Sequence, residues 1–475
     1  MTPRSNAGYS ARARWNRREL LRMGGLAAAA GVAAPALANC SAPGGGSDSG
    51  GGDGDVELQF MYWGSTFEQK AINAMLEQFG ERNDGITARP LYTPEEYDTK
   101  INTLVASNRP PDVAYLPVGQ AFRLAKQGKL LNLYPYLDKH PELANHLSGT
   151  YFWYGKDKML GTQTANEVML LWYNTKALDD AGVEKPPVQA DQAWTWDQLV
   201  ENAYKLTFDQ DGNHPDESGF KPNQIKQFGI SVSIEYMPAW YSFLRSKGVD
   251  IVDESGKKCL LDTPEAVEVL QNVQDLIFKH HVAPTPGQMG GTDAPATNVQ
   301  LQTRRIAMVV DGQWILLDMS QSDLDYGIGV LPKFDEPVTT QLSGASAVFS
   351  ATKHPEEAVK LFAFHNDPRY VDLNKNGLWM PIEKKYYTDP KAIDSWVKND
   401  VHPPEFRQAV VDYTLNNAVT TAAQRLANWD AIDSKLLTPA LQEIQTGKRP
   451  AKEVLAEVTP KIDEQLQGWE YTQEL

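Results

Sequence analysis

Tryptophans and acidic residues stand beside several predicted strands of this sequence. Trp63 follows the strand-forming segment 56–62, Glu167 precedes the apolar run 168–173, and Trp314 follows another apolar strand. Indole rings pack on the C–H faces of a sugar, and carboxylates accept hydrogen bonds from its hydroxyls. One such charged acceptor contributes about 1.5–3 kcal/mol net. These residue types are suited to binding an uncharged, polyhydroxylated ligand.

An alternation of strand and helix patterns would position these residues. Segments 56–62, 86–92 and 113–116 are strand-like, whereas 67–81 and 95–107 have the apolar spacing of helices. This order is typical of a parallel α/β sheet, in which ligands bind at the carboxyl ends of the strands. Pro90 lacks an N–H group, which predicts either an edge position or a break for its strand.

The rest of the chain continues the α/β pattern. Further predicted strands are 168–173, 228–234, 306–310 and 326–331. Predicted helices are 196–207 with Thr195 as N-cap, 239–247, 264–279, 355–366 and a long helical C-terminus, about 404–470. The stretch from 331 to Gly344 is rich in turn residues.

Composition and motifs argue against several classes of binding partner and enzyme. The formal net charge of −16 disfavours nucleic acid and anionic lipid as partners. The sequence has no HExxH zinc motif, no GxSxG nucleophile motif and no phosphate-binding P-loop, so neither a metal nor another cofactor is expected. The two cysteines, Cys40 and Cys259, do not make a disulfide framework, and Cys259 is expected to be a buried free thiol.

The N-terminus is an export signal. Residues 1–39 combine a basic segment, a short apolar segment and small residues before Cys40. Arg17-Arg18 resembles a twin-arginine signal, and 37–40 resembles a lipobox, in which the cysteine becomes lipidated. The Gly/Ser-rich segment 40–55 then serves as a flexible tether. Asn39 departs from the usual small residue, so ordinary cleavage before Asn39 stays open.

The ordered segments resemble the extracellular solute-binding proteins of the maltose/maltodextrin-binding type, which serve ABC importers. The resemblance covers nearly all of 56–475. Its landmarks are Trp63-Gly64, Tyr97 to Val113 with Arg109-Pro110-Pro111-Asp112, Glu167 to Lys176, Trp194-Thr195-Trp196, Arg305 to Trp314, Leu331-Pro332, Ser343-Gly344-Ala345-Ser346 and Asn376-Gly377 to Met380-Pro381.

The resemblance implies a periplasmic-binding-protein-like fold of two lobes, each a mainly parallel sheet flanked by helices. Both lobes are discontinuous and joined by a hinge. Lobe 1 is expected to comprise 56–165 plus 338–376, and lobe 2 to comprise 166–337 plus 377–475. The hinge is expected near 165–167, 335–340 and 376–380.

The resemblance also implies a set of site residues in the cleft between the lobes. Glu167 holds the offset from Tyr173 at which the family places an acidic sugar ligand, and Trp314 ends a strand used for stacking. Glu235, Tyr236 and Trp240 stand where a second-lobe contact is often added. The remaining expected site residues lie at strand ends or beside a crossing: Trp63, Ser65, Thr66, Gln120, Gly344, Ser346 and Trp379. Trp429 is a weaker candidate.

The implied function is that of a substrate-binding lipoprotein, not an enzyme. It would be a monomer on the outer face of the cell membrane, held only by lipid on Cys40, that delivers a carbohydrate to permease subunits. An exported carbohydrate-active enzyme stays open, because it needs only two suitably spaced carboxylates. Another solute on the same fold also stays open.

Two sequence features suggest metals and have simpler interpretations. Tyr386-Tyr387 resembles the tandem tyrosines of ferric-ion binders, but the charged residues around it favour a surface helix end. The acidic loop 209–217 begins like a calcium loop but lacks glycine at the sixth position and glutamate at the twelfth, which favours a turn.

Overall fold

The computed structural model describes residues 55–473, in which the strands form two sheets. The strands are β1 Val56–Tyr62, β2 Ile86–Tyr92, β3 Val113–Leu116, β4 Tyr151–Gly155, β5 Lys158–Gln163, β6 Glu167–Asn174, β7 Phe208–Asp209, β8 Ile225–Ser231, β9 Ile306–Gly312, β10 Tyr326–Gly329, β11 Thr339–Leu342, β12 Ala345–Val348 and β13 Ala418–Thr420. No helix in this part of the chain is long and apolar enough to cross a membrane.

Helices cover the sheets. The α-helices are α1 Thr66–Arg82, α2 Tyr97–Ala106, α3 Val118–Lys126, α4 Thr175–Ala181, α5 Trp196–Leu206, α6 Met237–Ser246, α7 Pro264–Phe278, α8 Thr297–Gln302, α9 Leu316–Ser320, α10 Pro355–Asn366, α11 Lys385–Thr388, α12 Pro390–Val397, α13 Tyr413–Asn417, α14 Trp429–Ile432, α15 Thr438–Gln445 and α16 Ala451–Asp463. Two π-helical stretches, Arg407–Asp412 and Asp433–Leu437, precede α13 and α15.

The first sheet has the strand order β2-β1-β3-β12-β5-β4. Strands β1, β2 and β3 are parallel, so their carboxyl ends lie at one edge. Of the two alternatives predicted for Pro90, the edge position is confirmed, because β2 pairs only with β1. An edge strand tolerates the missing N–H donor.

The second sheet has the order β13-β11-β6-β9-β8-β7, with β10 also paired to β6. Only β8 with β9 and β11 with β13 are parallel. The predicted α/β class is confirmed, but the expectation of mainly parallel sheets is wrong, since both sheets are mixed. Short connections such as Lys156-Asp157, between β4 and β5, allow only antiparallel pairing.

Three segments cross side by side between the sheets. Asn166 and Met380 exchange backbone hydrogen bonds of 2.9 and 3.1 Å, and Glu167 pairs with Leu342. The returning crossing lies between Leu342 and Ala345, since β11 still belongs to the second sheet. The lobe boundaries given above stay a prediction.

Strand β6 shows why one segment of the sequence is apolar throughout. Leu170 and Trp172 face one hydrophobic core, whereas Leu171 and Tyr173 face another. Successive side chains of a strand point to opposite faces, so a strand covered on both faces has no polar side. A third core fills the first sheet and its helices.

The C-terminal region departs most from its predicted structure. The expected long helix is divided into short helices, π-helical stretches and strand β13. Prolines at positions 403, 404, 439 and 450 account for part of this division, since proline removes a helical donor and restricts the residue before it. The hairpin β4–β5 and the strands β11 and β12 were not predicted either.

The buried thiol predicted for Cys259 is confirmed. The side chain is fully buried and free, and its sulfur lies 3.9 Å from the Thr459 hydroxyl. Burial raises the pKa of Cys259 to about 11, which makes the thiolate scarce at neutral pH. Cys40, the export signal and the tether lie outside the described residues.

Candidate functional site

The first wall of the site is an aromatic platform at the carboxyl ends of β1 and β3. The half-buried Trp63 ring meets Tyr97 and Tyr115 edge to face, with centroids 4.8 and 5.4 Å away. A Cβ on Gly344 would lie 3.1 Å from the Trp63 indole, so the ring rests on backbone of the returning crossing. Two predicted site residues, Trp63 and Gly344, are therefore in contact.

A buried layer of polar aromatics supports this platform. The Tyr97 hydroxyl donates to the Tyr115 carbonyl at 2.8 Å, and the Tyr115 hydroxyl lies 2.8 Å from His365 Nε2. Trp379 packs on Tyr115 and His365 at 6.2 and 5.6 Å. Trp379 is only 6% exposed, so in this conformation it supports the platform more than it forms the surface.

The second wall is built around Trp314, directly after β9. Its half-buried ring covers Gly312 so closely that any side chain at that position would overlap it. Tyr236 meets Trp314 perpendicularly at 6.4 Å. Gly312 pairs with Met169, two residues from Glu167, so Trp314 lies beside the start of β6.

Glu167 lies at the crossing between these walls. Burial and the nearby negative charge of Glu68 raise its pKa to about 8. The residue as a whole is only partly buried. Within residues 55–473, neither Glu68 nor Glu167 forms an ion pair with a basic residue.

Glu68 was not among the site residues predicted from the sequence. This residue completes a capping box at the start of α1: its carboxylate accepts from the Ser65 N–H at 2.6 Å, and its own N–H donates to the Ser65 hydroxyl. Gly64, at φ +136°, lies beneath the carboxylate, because a Cβ there would be 2.6 Å from Glu68 Cδ. The available signal was the Ser-x-x-Glu spacing, which predicts a capping box.

Glu167→Gln is expected to increase stability at alkaline pH. Folded Glu167 holds its proton up to about pH 8, whereas in the unfolded chain it releases the proton near 4.5. The folded state therefore binds more protons in this window, and stability falls as pH rises through it. With residual solvation, we expect the variant to gain about 1–2 kcal/mol at pH 8 and much less at pH 5.

Urea unfolding at the two pH values measures this difference, and Glu95→Gln on the exposed surface is the control of matched chemistry. Equal gains at pH 5 and pH 8 would contradict a raised pKa at Glu167.

Other predicted residues lie elsewhere. Trp240 and Ser346 are fully buried in this conformation, and their assignment to the site stays a prediction. Trp240 belongs to the second-sheet core, whose helix α6 is buried almost all round. Ser346 lies within the first sheet, 3.1 Å from the Thr164 hydroxyl.

The remaining predicted residues have local partners. Ser65 caps α1 and Thr66 is exposed on its first turn. Gln120 is 5% exposed and donates to Asn102. Glu235 is exposed, and it is tied to α15 through its N–H to Gln445 Oε1 at 2.7 Å and its carboxylate to Gln442.

Three buried glutamines at the crossings were also missed. Gln163 donates to Gln424 at 3.0 Å and accepts from Gln341 at 3.4 Å, and Gln424 donates to the Ser343 carbonyl at 2.8 Å. These residues lie up to 261 positions apart along the chain. Nothing in the local sequence pattern of any one of them points to the others.

The contacts of Tyr386-Tyr387 and of the acidic loop 209–217 do not support either metal interpretation. The interpretation of Tyr386 and Tyr387 as a surface helix end is wrong, because they are 3% and 2% exposed. The Tyr387 hydroxyl donates to the Pro381 carbonyl and accepts from Asn166. In the acidic loop, the Asp209 carboxylate accepts from the N–H groups of Asp211, Asn213 and Lys221, which closes a turn.

The chain is similar to known bacterial binding proteins. The family model of bacterial extracellular solute-binding proteins matches residues 62–371. An sn-glycerol-3-phosphate-binding periplasmic protein of Brucella melitensis is 22% identical over 421 residues, covering 84% of this chain and 90% of the relative. An arabinooligosaccharide-binding protein of Halalkalibacterium halodurans is 26% identical over 223 residues, covering 46% of this chain and 45% of the relative.

Solved structures share the two-lobed fold. A substrate-binding protein of an ABC transporter from Listeria monocytogenes, in complex with cycloalternan, superposes with a TM-score of 0.71 and 20% identity, covering 86% of this chain and 98% of that one. A maltose-bound protein from T. maritima gives 0.67 and 21%, covering 86% and 99%. The predicted two-lobed fold is thereby confirmed. The family match spans more than half of the sequence, and the chain belongs to the bacterial extracellular solute-binding proteins.

Proposed function

We propose that this protein captures a carbohydrate between its two lobes and delivers it to the permease of an ABC importer. The observation that carries the proposal is the position of Glu167 at the crossing, with Trp63 on one side and Trp314 on the other. A carboxyl group between two aromatic rings suits a ligand with hydroxyl edges and apolar faces.

The charge of the site favours an uncharged sugar over a phosphate ester. Glu68 and Glu167 place two acidic groups together, and burial raises the pKa of both. A phosphate would lack a cation to pair with at these two groups. We therefore take the likeness to a glycerol-3-phosphate-binding protein as a likeness of fold and not of ligand. The proposed ligand class is a mono- or oligosaccharide, as for the arabinooligosaccharide-binding relative.

The three crossings support a hinge. Two α/β lobes joined only by short segments rotate about a few backbone positions, here near 164–167, 342–345 and 379–380. A sugar that touches both walls favours the closed arrangement by the contacts it makes only there. The permease would then recognise the closed surface as the loaded form, and the protein itself would carry out no reaction.

Export and anchoring complete the proposal. Residues 1–39 would direct export, with Arg17-Arg18 favouring the twin-arginine route, and lipid on Cys40 would hold the protein at the outer face of the membrane. The tether that follows would let a monomeric protein reach the permease. Mass spectrometry of the native N-terminus tests this part by itself.

Sugar binding is expected to compact the protein without turnover. Mature protein is screened by thermal shift against maltose, maltotriose, arabino-oligosaccharides and sn-glycerol 3-phosphate. A sugar at 100 times its Kd should stabilise the folded state by about 2.7 kcal/mol. Small-angle scattering with that sugar should show a smaller radius of gyration.

Two results would contradict the proposal. One is the accumulation of shorter sugars during incubation, which would favour a carbohydrate-active enzyme. The other is tight binding of sn-glycerol 3-phosphate with no response to any sugar.

A further inference from the structure

Helix α3 begins at the site and has an uncapped N-terminus. It follows β3 directly, with Pro117 at the N-cap position and no acidic residue in its first turn. The first N–H groups of a helix lack partners within it, and the helix dipole favours a negative charge at this end. A negatively charged group outside α3 would therefore stabilise this end of the helix.

Asp430, in α14 of the C-terminal region, lies against this helix end. A Cβ on Gly119, in the first turn of α3, would overlap the Asp430 carboxylate. Only glycine leaves room for the carboxylate at that position. Helix α3 packs on β4, β5 and β12 of the first sheet, whereas Trp429 and Ile432 of α14 belong to the core of the second. The contact therefore joins the two lobes.

A second contact joins the lobes at the other end of α3. The Lys126 ammonium group lies 2.7 Å from the Glu470 carboxylate, whose side chain is 10% exposed. Three residues further on, Gln473 accepts from the Asp157 N–H at 3.0 Å. Lys126 and Asp157 belong to elements of the first sheet.

The segment that carries Glu470 is anchored on the second lobe. The Trp469 indole donates to the Glu254 carbonyl at 2.9 Å, and the Arg425 guanidinium stacks on the ring at 4.9 Å. The Ala427 N–H also donates to the Gly468 carbonyl at 3.0 Å. These contacts fix the position of Glu470 relative to the second lobe.

We infer that Asp430, Glu470 and Gln473 form a clasp on the first lobe that stabilises the closed arrangement of the two lobes both with and without ligand, so that ligand-free protein is a mixture of closed and open forms. The inference rests on the hinge motion in the proposed function, since a clasp matters only if the lobes separate. The clasp contributes to the free energy of lobe closure independently of the sugar. The clasp thereby sets how much of the binding free energy a ligand must supply to close the cleft.

The clasp is tested on ligand-free mature protein by small-angle scattering. A compact chain of the length described has a radius of gyration of about 22 Å. Asp430→Asn with Glu470→Gln keeps the size of both side chains and removes both charges. We expect a larger radius of gyration and a closed-to-open ratio lowered about tenfold, with a melting temperature close to that of the wild type.

Gly119→Ala tests the same contact sterically, because the new methyl group displaces Asp430. Gly80→Ala is the matched control, since Gly80 also lies in a helix and its nearest neighbours to a Cβ are 3.8 Å away. Gly119→Ala should expand the protein and Gly80→Ala should not. Exchanging the charges of Lys126 and Glu470, as Lys126→Glu with Glu470→Lys, should restore compactness lost in Lys126→Glu alone.

A radius of gyration that stays at the wild-type value in both the charge-removed variant and Gly119→Ala would overturn the clasp. Since these measurements need no ligand, that failure is separate from a failure to bind sugar. If a variant melts early, its radius of gyration is measured at a temperature at which circular dichroism shows that the variant is folded.

Discussion

Trp314→Ala is expected to weaken sugar binding by about 2–4 kcal/mol, or roughly 30- to 700-fold in Kd. The Trp314 ring rests on Gly312 and meets Tyr236 edge-on, so one part of it is held by protein and the rest is left for a ligand. Stacking removes apolar area of ring and sugar from water at about 25 cal/mol per Å². Titration calorimetry with a sugar identified in the screen measures the loss.

Trp314→Phe is the graded control, because it keeps a smaller ring in the same position and should lose less affinity. The free energy of unfolding should change less than the binding energy, since Trp314 is only half-buried. An unchanged Kd in Trp314→Ala would remove this residue from the site.

Trp240→Ala should have the opposite profile, with a loss of about 3–5 kcal/mol in the free energy of unfolding. Trp240 is fully buried in the core of the second sheet. Its indole N–H has no hydrogen-bond partner among the described residues, so the loss comes from apolar volume and the cavity left behind. Urea unfolding measures it.

Sugar affinity of the folded Trp240→Ala protein should stay near the wild-type value at a temperature where the variant is folded. The two tryptophan variants thus separate binding from stability in one pair of measurements. A large loss of affinity with unchanged stability would mean that Trp240 reaches the ligand in another arrangement of the lobes.

Local patterns in the sequence predicted much of the framework of the fold. Strands β1, β2 and β3 and helix α10 have the predicted bounds. Thr195 does cap α5, with Gln198 completing a capping box. These features depend on neighbouring residues: side-chain alternation, helical spacing, and the donors that proline removes or a cap satisfies. The order of the landmarks added the two-lobed fold.

Burial of individual tryptophans depended on tertiary structure. Trp240 lies in a predicted helix and Trp314 follows a predicted strand; one is in the core, whereas the other is half-buried and faces Tyr236. Helix α6 is packed against the second sheet on nearly all sides, and this cannot be derived from its own residues. Periodicity predicts which face of an element is apolar, but not how many neighbours cover it.

The charged and amide contacts of the site depended on tertiary structure for a related reason. The charge of Glu68, in α1, acts on Glu167, at the start of β6, although the two elements are about 100 residues apart along the chain. Gln163 meets Gln424, and Gly119 meets Asp430, across separations of several hundred residues. The sequence by itself determined elements such as β1, β2, β3 and α10, since each depends on neighbouring residues, whereas the export signal stays a prediction. Which side chains face one another was decided by the packing of the lobes, because distant segments become neighbours only through long-range contacts.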